Sequence, residues 1–166
     1  MAEPDGEIEW YLPKRRALFP ITGIRVSRSL RSVLNRGDFS VSFDTAFEEV
    51  MRGCLRPDGN WISSEIIRAF CECHRQGWGH SCEVWRKGAL VGGVYGVQVG
   101  RVFSAESMFH RETDMSKVAL HFLVERCREA GFEVFDAQIM NPHLASLGAY
   151  EVSDAEYQAM LRRALR

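Results

Sequence analysis

Long apolar runs are absent: no stretch of the 166 residues approaches the roughly 18 that a membrane span requires, which argues against a membrane protein. The first six residues are acidic and lead into no apolar segment, so no secretory or mitochondrial signal is legible and a cytoplasmic protein is expected. Internal repeats, low-complexity tracts and long linkers are lacking as well, against solenoid and multidomain architectures. Cysteine is sparse and odd in number. Cys54, Cys71, Cys73, Cys82 and Cys127 cannot all pair, and a chain this long needs no disulfides, so reduced thiols are expected. Acid is absent from residues 14–36, which hold seven of the 21 Lys and Arg, whereas the first nine residues hold four acids. The net charge of -1 therefore hides a basic stretch whose like charges repel unless a polyanion is near. By itself this stretch fits RNA, a membrane surface, a nucleotide or a plain solvated face.

What is present, 46% hydrophobic and 26% charged residues, fits one globular domain, here residues 13–166 behind a loose arm at 1–12. The spacing of Ile21, Ile24 and Val26 predicts a short strand, followed by a basic segment ending at Gly37 and a strand over Phe39–Phe43. Thr45 and Glu48 form a capping-box pattern for a helix of about ten residues ending near Cys54. Pro57 to Asn60 reads as a turn, and Ser63 or Ser64 caps a helix carrying Ile66, Ile67, Phe70, Cys71 and His74 until Gly77 stops it. Alternation then predicts strands over His80–Arg86, Leu90–Val99 and Arg101–Phe109. A helix from Ser116 to Gly131, a strand over Glu133–Ile139 and a Ser153/Glu156-capped helix over Ala155–Leu165 complete the chain. A strand, helix and strand in this order imply a right-handed crossover. The fold class is α+β, with a mixed, mostly antiparallel sheet flanked by helices.

Cys71, Cys73 and His74 followed by His80 and Cys82 match no zinc spacing, so buried thiols are favoured over a metal site. Gly92, Gly93 and Gly96 lie within a strand and open no helix. They read as places where a backbone or a ligand approaches closely. Trp61 precedes a helix cap and reads as core or as a stacking surface. Asp136 and Gln138 share a face of an expected buried strand, where unpaired polar groups are costly, and Glu106 raises the same question one strand away. Together the three favour a site over isolated buried networks.

These segments are similar to the leucyl/phenylalanyl-tRNA-protein transferase family. The resemblance runs through Trp10-Tyr11-x-Pro13, Arg28-Ser29, Phe47-x-x-Val50-x-x-Gly53-Cys54, Trp61-Ile62 and His80-Ser81-x-Glu83-x-Trp85. It continues through Leu90-Val91-Gly92-Gly93-x-Tyr95-Gly96-Val97, Glu106-Ser107-Met108-Phe109, Ser116-Lys117-x-Ala119-Leu120, Asp136-x-Gln138 and His143-x-x-Ser146-Leu147-Gly148-Ala149. It implies a domain like that of the GCN5-related N-acetyltransferases, and transfer of Leu or Phe from aminoacyl-tRNA to a protein or peptide whose N-terminus is Arg or Lys. Asp136, Gln138 and Glu106 are implied as catalytic. Trp61, Val94, Phe103, Ser107, Met108 and Cys127 are implied around the aminoacyl group or terminal adenosine, and Lys14, Arg15, Arg16, Arg25, Arg28 and Arg31 against tRNA. No cofactor or metal is implied. Two departures bear on specificity: the family's N-terminal elements do not occur here, and Cys127 and Ala137 stand where phenylalanine and cysteine are common, the first enlarging the pocket.

The chemistry needs no strong base. An aminoacyl ester is already activated, and an N-terminal amine with a pKa of about 7.7–8.0 is partly neutral at physiological pH. Asp136 is expected to orient Gln138, with Asp136 as general base the stronger claim. Phe103 and Glu106 have opposite parity, so a bulge or strand end must separate them if both face the site. An acyl-CoA N-acetyltransferase is disfavoured because Phe109 to Lys117 holds no Gly-rich pyrophosphate loop. A non-catalytic adaptor for N-terminal residues is the other alternative.

Overall fold

A computed structural model describes residues 13–56 and 61–166. The expected arm with Trp10 and Tyr11, and the Pro57–Asn60 turn, lie outside the described residues. Strand β1 spans Arg15–Phe19 and is followed by α1 (Arg28–Arg36), β2 (Ser40–Phe43), α2 (Phe47–Gly53) and α3 (Ser64–Arg75). The middle of the chain is β3 (Gly79–Arg86), β4 (Ala89–Val99), β5 (Val102–His110) and α4 (Met115–Glu129). Then come β6 (Val134–Gln138), α5 (Pro142–Ser146), β7 (Tyr150–Ser153) and α6 (Asp154–Ala164).

The strands form one sheet in the order β2-β3-β4-β5-β6-β1-β7. Among the described strands only β5 and β6 pair in parallel, and α4 makes the crossover between them. A parallel pair cannot be closed by a hairpin, so the 15-residue helix is the connection this topology requires. This is the mixed, mostly antiparallel sheet flanked by helices that the sequence predicts.

Helix α4 carries the largest apolar cluster, with Val118, Leu120, Leu123 and Val124 packed with Phe19, Val94, Phe103 and Phe135 from the sheet. Each such side chain contributes about 1.5–3 kcal/mol by leaving water. On the opposite face Phe47, Val50 and Met51 of α2 pack with Ile67 of α3 and Tyr95 of β4. The third cluster joins Ala164 of α6 to Leu18, Val102 and Val134. Gly92 and Gly96 let the backbone close up: a Cβ on Gly92 would lie 2.6 Å from Met115 Cβ, and one on Gly96 would lie 2.1 Å from the Ser104 carbonyl oxygen. Protein atoms, not a ligand, fill the close approaches read from these glycines.

Three local expectations are corrected. Ile21, Ile24 and Val26 lie in an irregular segment, and the strand falls earlier, on Arg15–Phe19. Those side chains pack on the α4 cluster without a ladder, whereas Ala17, Leu18 and Phe19 are buried between two neighbouring strands and show no alternation. The basic segment does end at Gly37, as expected, and it forms a helix capped by Ser27, with Leu30 and Val33 buried beneath its charges. Thr45 does not cap α2, which has seven residues rather than ten; its hydroxyl donates to the buried Glu83 carboxylate at 3.0 Å. Helix α4 begins at Met115 after Asp114, so Ser116 sits buried in its first turn and is not the cap. The Ser63 cap and the Ser153/Glu156 capping box are present as expected.

Candidate active site

The parallel β5·β6 ladder runs from Val102↔Val134 to Ser104↔Asp136. Each strand carries a bulge just past that point. On β5 the pairing to β4 shifts between Tyr95↔Ser107 and Gly96↔Ala105, leaving Glu106 as the extra residue. On β6 the pairing to β1 shifts between Leu18↔Asp136 and Ala17↔Gln138, leaving Ala137 extra. A bulge re-aims the side chains around it, and Gln138 completes the turn with a left-handed φ of 69°. The two re-aimed side chains meet: Gln138 Nε2 donates to Glu106 Oε2 at 2.9 Å and to the Ala105 carbonyl at 3.0 Å. With both amide hydrogens engaged, Gln138 Oε1 is left as an acceptor.

Glu106 and Gln138 line a cavity of about 240 Å³. Its apolar lining comes from Phe19, Val94, Met108, Leu120 and Leu144, and its polar lining also includes Ser107, Arg56 and Asn141. Asn141 is at once the N-cap of α5, accepting from Leu144 N–H at 2.9 Å. Burial is the largest influence on Glu106 and pushes its pKa up; the hydrogen bond from Gln138 opposes this without cancelling it.

Asp136 is placed differently from the sequence expectation. The bulge at Ala137 breaks the alternation, so Asp136 and Gln138 do not share a face: Asp136 does not line the cavity and is fully buried towards α6. Its carboxylate accepts from Tyr157 Oη at 2.7 Å, from Arg16 Nε at 2.9 Å and from the Gln138 backbone N–H at 2.7 Å. Arg16 Nη2 closes an ion pair with it at 2.7 Å. Asp136 therefore reaches Gln138 through the main chain, and its oxygens are saturated by protein donors.

Of the other expected site residues, Val94, Ser107 and Met108 line the Glu106–Gln138 cavity. Phe103 and Cys127 do not; they line a separate cavity of about 150 Å³ with His80, Arg126 and Phe132. The bulge demanded by the parity of Phe103 and Glu106 is present, yet the two side chains face different cavities. Trp61 packs against the α2–α3 cluster. Arg25, Arg28 and Arg31 are exposed, as is Lys14, whereas Arg15 pairs with Glu151 at 3.4 Å. Arg16 is turned inward to Asp136 and is not a surface cation. Sequence reasoning did not single out Phe19, Leu144 or Asn141, although Asn141 before Pro142 is a recognisable helix start. Nothing in the sequence pairs Tyr157 with Asp136. Among the described residues no cluster of His, Cys, Asp and Glu could hold a metal.

A largely antiparallel sheet with one parallel pair among the described strands, bridged by a helix and bulged where its ladder ends, defines an α+β protein with helices flanking a mixed sheet. Solved structures resemble it in fold alone. They include a functionally unknown conserved protein from Staphylococcus epidermidis (TM-score 0.53, 10% identity, covering 84% of this chain and 57% of that one). They also include L-PGS from Bacillus licheniformis (TM-score 0.50, 12% identity, 91% and 64%).

Sequence comparison is more specific. The model of the leucyl/phenylalanyl-tRNA protein transferase family matches residues 18–162, and the chain belongs to that family. Relatives of that name include proteins from Chlorobaculum parvum (48% identical over 165 residues, 97% of this chain and 85% of the relative) and Ruegeria pomeroyi (48% over 161 residues, 97% and 77%). Another is from Herpetosiphon aurantiacus (46% over 165 residues, 99% and 86%).

Proposed function

We propose that the protein, acting through residues 13–166 as one catalytic domain, transfers Leu, Phe or a related aminoacyl group from aminoacyl-tRNA to the N-terminal α-amine of a protein or peptide, one beginning with Arg or Lys. The observation that carries this reading is the Glu106–Gln138 bridge at 2.9 Å beside the apolar lining of Phe19, Val94, Met108, Leu120 and Leu144, in a chain of this family. The apolar lining takes the aminoacyl side chain. The bridge lies where a carbonyl carbon and an attacking amine must meet.

The reaction forms an N–C bond and breaks the ester C–O bond. The amine loses a proton, and the departing ribose oxygen gains one. Gln138 Oε1 accepts an N–H of the attacking amine and holds it against the ester, an effect of positioning more than of proton abstraction. Glu106 fixes the Gln138 amide and presents a partly buried carboxylate to amines in the cavity. Asp136 serves as the anchor beneath Gln138; as general base it would need an oxygen facing the cavity, and its acceptors are already committed. Arg25, Arg28 and Arg31, with Lys14, supply the basic surface for the tRNA backbone. The product carries a bulky apolar N-terminal residue, an N-degron.

Acyl-CoA transfer is less well supported, because the N-terminus of α4, where a pyrophosphate would sit, is headed by Asp114, engaged by Lys117 at 2.7 Å. A cytoplasmic location suits the substrates, and no described helix is long and apolar enough to cross a membrane. The test is to give purified protein Leu-tRNA or Phe-tRNA and a peptide beginning with Arg. Extended peptide is expected. Measurable peptide binding without product from any charged tRNA would make the protein an adaptor.

A further inference from the structure

The Asp136 carboxylate has no exposure to solvent, and it ties together side chains and main chain from three elements, β1, β6 and α6. Arg16 reaches it from β1, Tyr157 from α6, and the Gln138 main chain from its own strand. Arg16 also lies over the Tyr157 ring, 5.3 Å from its centroid, so the two donors brace one another. The residue this assembly secures is an unfavourable one. Gln138 has φ 69°, a left-handed conformation that is unfavourable for a non-glycine residue. Such backbone persists only where its surroundings over-determine it. Here the Gln138 N–H is tied at 2.7 Å to an oxygen that Arg16 also holds.

We propose that Arg16 and Tyr157 are positioning residues for the transfer reaction: by clamping Asp136 they hold the bulge at Ala137 and the left-handed Gln138, and so aim the Gln138 amide at the reacting groups. Neither side chain lines the Glu106–Gln138 cavity, so each acts through Asp136 and the main chain. The geometry requires both donors. Arg16 alone would leave Asp136 Oδ2 without its hydroxyl donor and loosen the tie to α6, and Tyr157 alone would leave a buried charge unpaired. Burial lowers the Arg16 pKa, but the hydrogen bonds and charge of Asp136 more than reverse this, which keeps the guanidinium charged at its post. The inference rests on the proposed transfer activity for its kinetic consequence, though the clamp itself has a separate readout.

Tyr157→Phe removes one hydroxyl and Arg16→Lys keeps the charge but loses the planar fork. The test measures kcat and KM for Leu-tRNA or Phe-tRNA with an Arg-initiated peptide, thermal stability, and amide hydrogen exchange at Gln138 by NMR. Tyr157→Phe is expected to lower kcat about tenfold or more while KM stays within about twofold, and to speed exchange of the Gln138 amide. In a Gln138→Ala background the same substitution should cost no further rate, because its effect passes through Gln138. Arg16→Lys provides the second variant should Tyr157→Phe fold poorly, with the same pattern expected. An unchanged kcat in the folded variants overturns the proposal, as does a loss that adds fully to that of Gln138→Ala. A wild-type protein that transfers nothing defeats the proposed function instead; the clamp is then decided by Gln138 exchange alone, faster supporting it and unchanged overturning it.

Discussion

Gln138 Nε2 sits 2.9 Å from Glu106 Oε2, a bridge between two bulged strands at the end of the parallel ladder. Neither side chain would point there from a regular strand. The parallel pairing stops at Ser104↔Asp136, and the gap beyond is spanned by one amide that reaches both a carboxylate and the Ala105 carbonyl. The opening in the sheet and the polar groups that occupy it thus have a common origin in the bulges.

Removing the bridging side chain separates chemistry from backbone strain. Gln138→Ala is expected to lower kcat/KM about a hundredfold, the usual cost of losing one fixed polar partner of the reacting groups. Gln138→Gly removes the same side chain but accepts φ 69° without penalty. The two variants should be equally slow, with the glycine variant about 1–2 kcal/mol more stable, or some degrees higher in Tm. Steady-state kinetics and thermal melts of the pair check this.

Glu106 gives a signed pH dependence. Burial, the main cause, raises its pKa above the ordinary 4.5, so the folded protein binds this proton more tightly than the unfolded chain does. Its contribution therefore favours folding below that ordinary value and is lost as pH rises through the raised one. Denaturation midpoints across this window should fall with pH in the wild type more than in Glu106→Gln. Transfer should follow the opposite course, since the ionised carboxylate is the form that accepts from Gln138, with an acidic limb centred above 4.5.

Much of this arrangement was legible because period-2 alternation and glycine turns mark β3, β4 and β5, and because serine caps mark α3 and α6. Glu106 and Gln138 stood out as polar residues in strands that should be buried. The bulges did not, since a bulge exists only in the pairing of two strands, and the β1 partner of β6 was itself misplaced along the chain. Arg16 illustrates the same limit. In the sequence it is one cation among seven, and only the antiparallel return of β1 beside β6 brings it to Asp136, 120 positions away. Helix α1 is harder to read because its three arginines fall among polar serines and an asparagine and only Leu30 and Val33 are buried.

His80 and Asp44 form a pair away from the proposed site, with His80 Nδ1 3.0 Å from Asp44 Oδ2. The hydrogen bond to Asp44 raises the His80 pKa despite burial. Burial pushes Asp44 up, but the hydrogen bonds from His80 and the Ser81 N–H outweigh it and its pKa falls. For His80 the stabilisation is complete below the ordinary 6.5 and is lost as pH rises through the raised value. For Asp44 it is complete above 3.8 and is lost as pH falls through the lowered value. Asp44→Asn keeps a residue that tolerates φ 61° and can still accept from Ser81 N–H. Solvent screens this partly exposed pair, so the substitution should cost about 0.5–1 kcal/mol between those limits and flatten the loss on the alkaline side, as read from chemical denaturation against pH.

The arginines of the basic stretch are expected to divide into two kinds. Arg28 and Arg31 are exposed one turn apart on α1, and among the described residues no ion pair engages either. If each meets a tRNA phosphate, Arg28→Gln and Arg31→Gln should each raise KM for aminoacyl-tRNA several-fold, leave KM for the peptide unchanged, and flatten the salt dependence by about one unit of slope. Arg16 carries the same charge in the same stretch, but its guanidinium is committed to a fully buried carboxylate. Arg16→Gln should leave the salt slope where it is and act on folding, because stripping a buried ion pair of one partner costs about 3–5 kcal/mol. Binding titrations of the three variants over a range of salt concentrations, with melts alongside, distinguish the kinds. A reduced slope in Arg16→Gln, or none in both α1 variants, would place the tRNA on another face of the molecule.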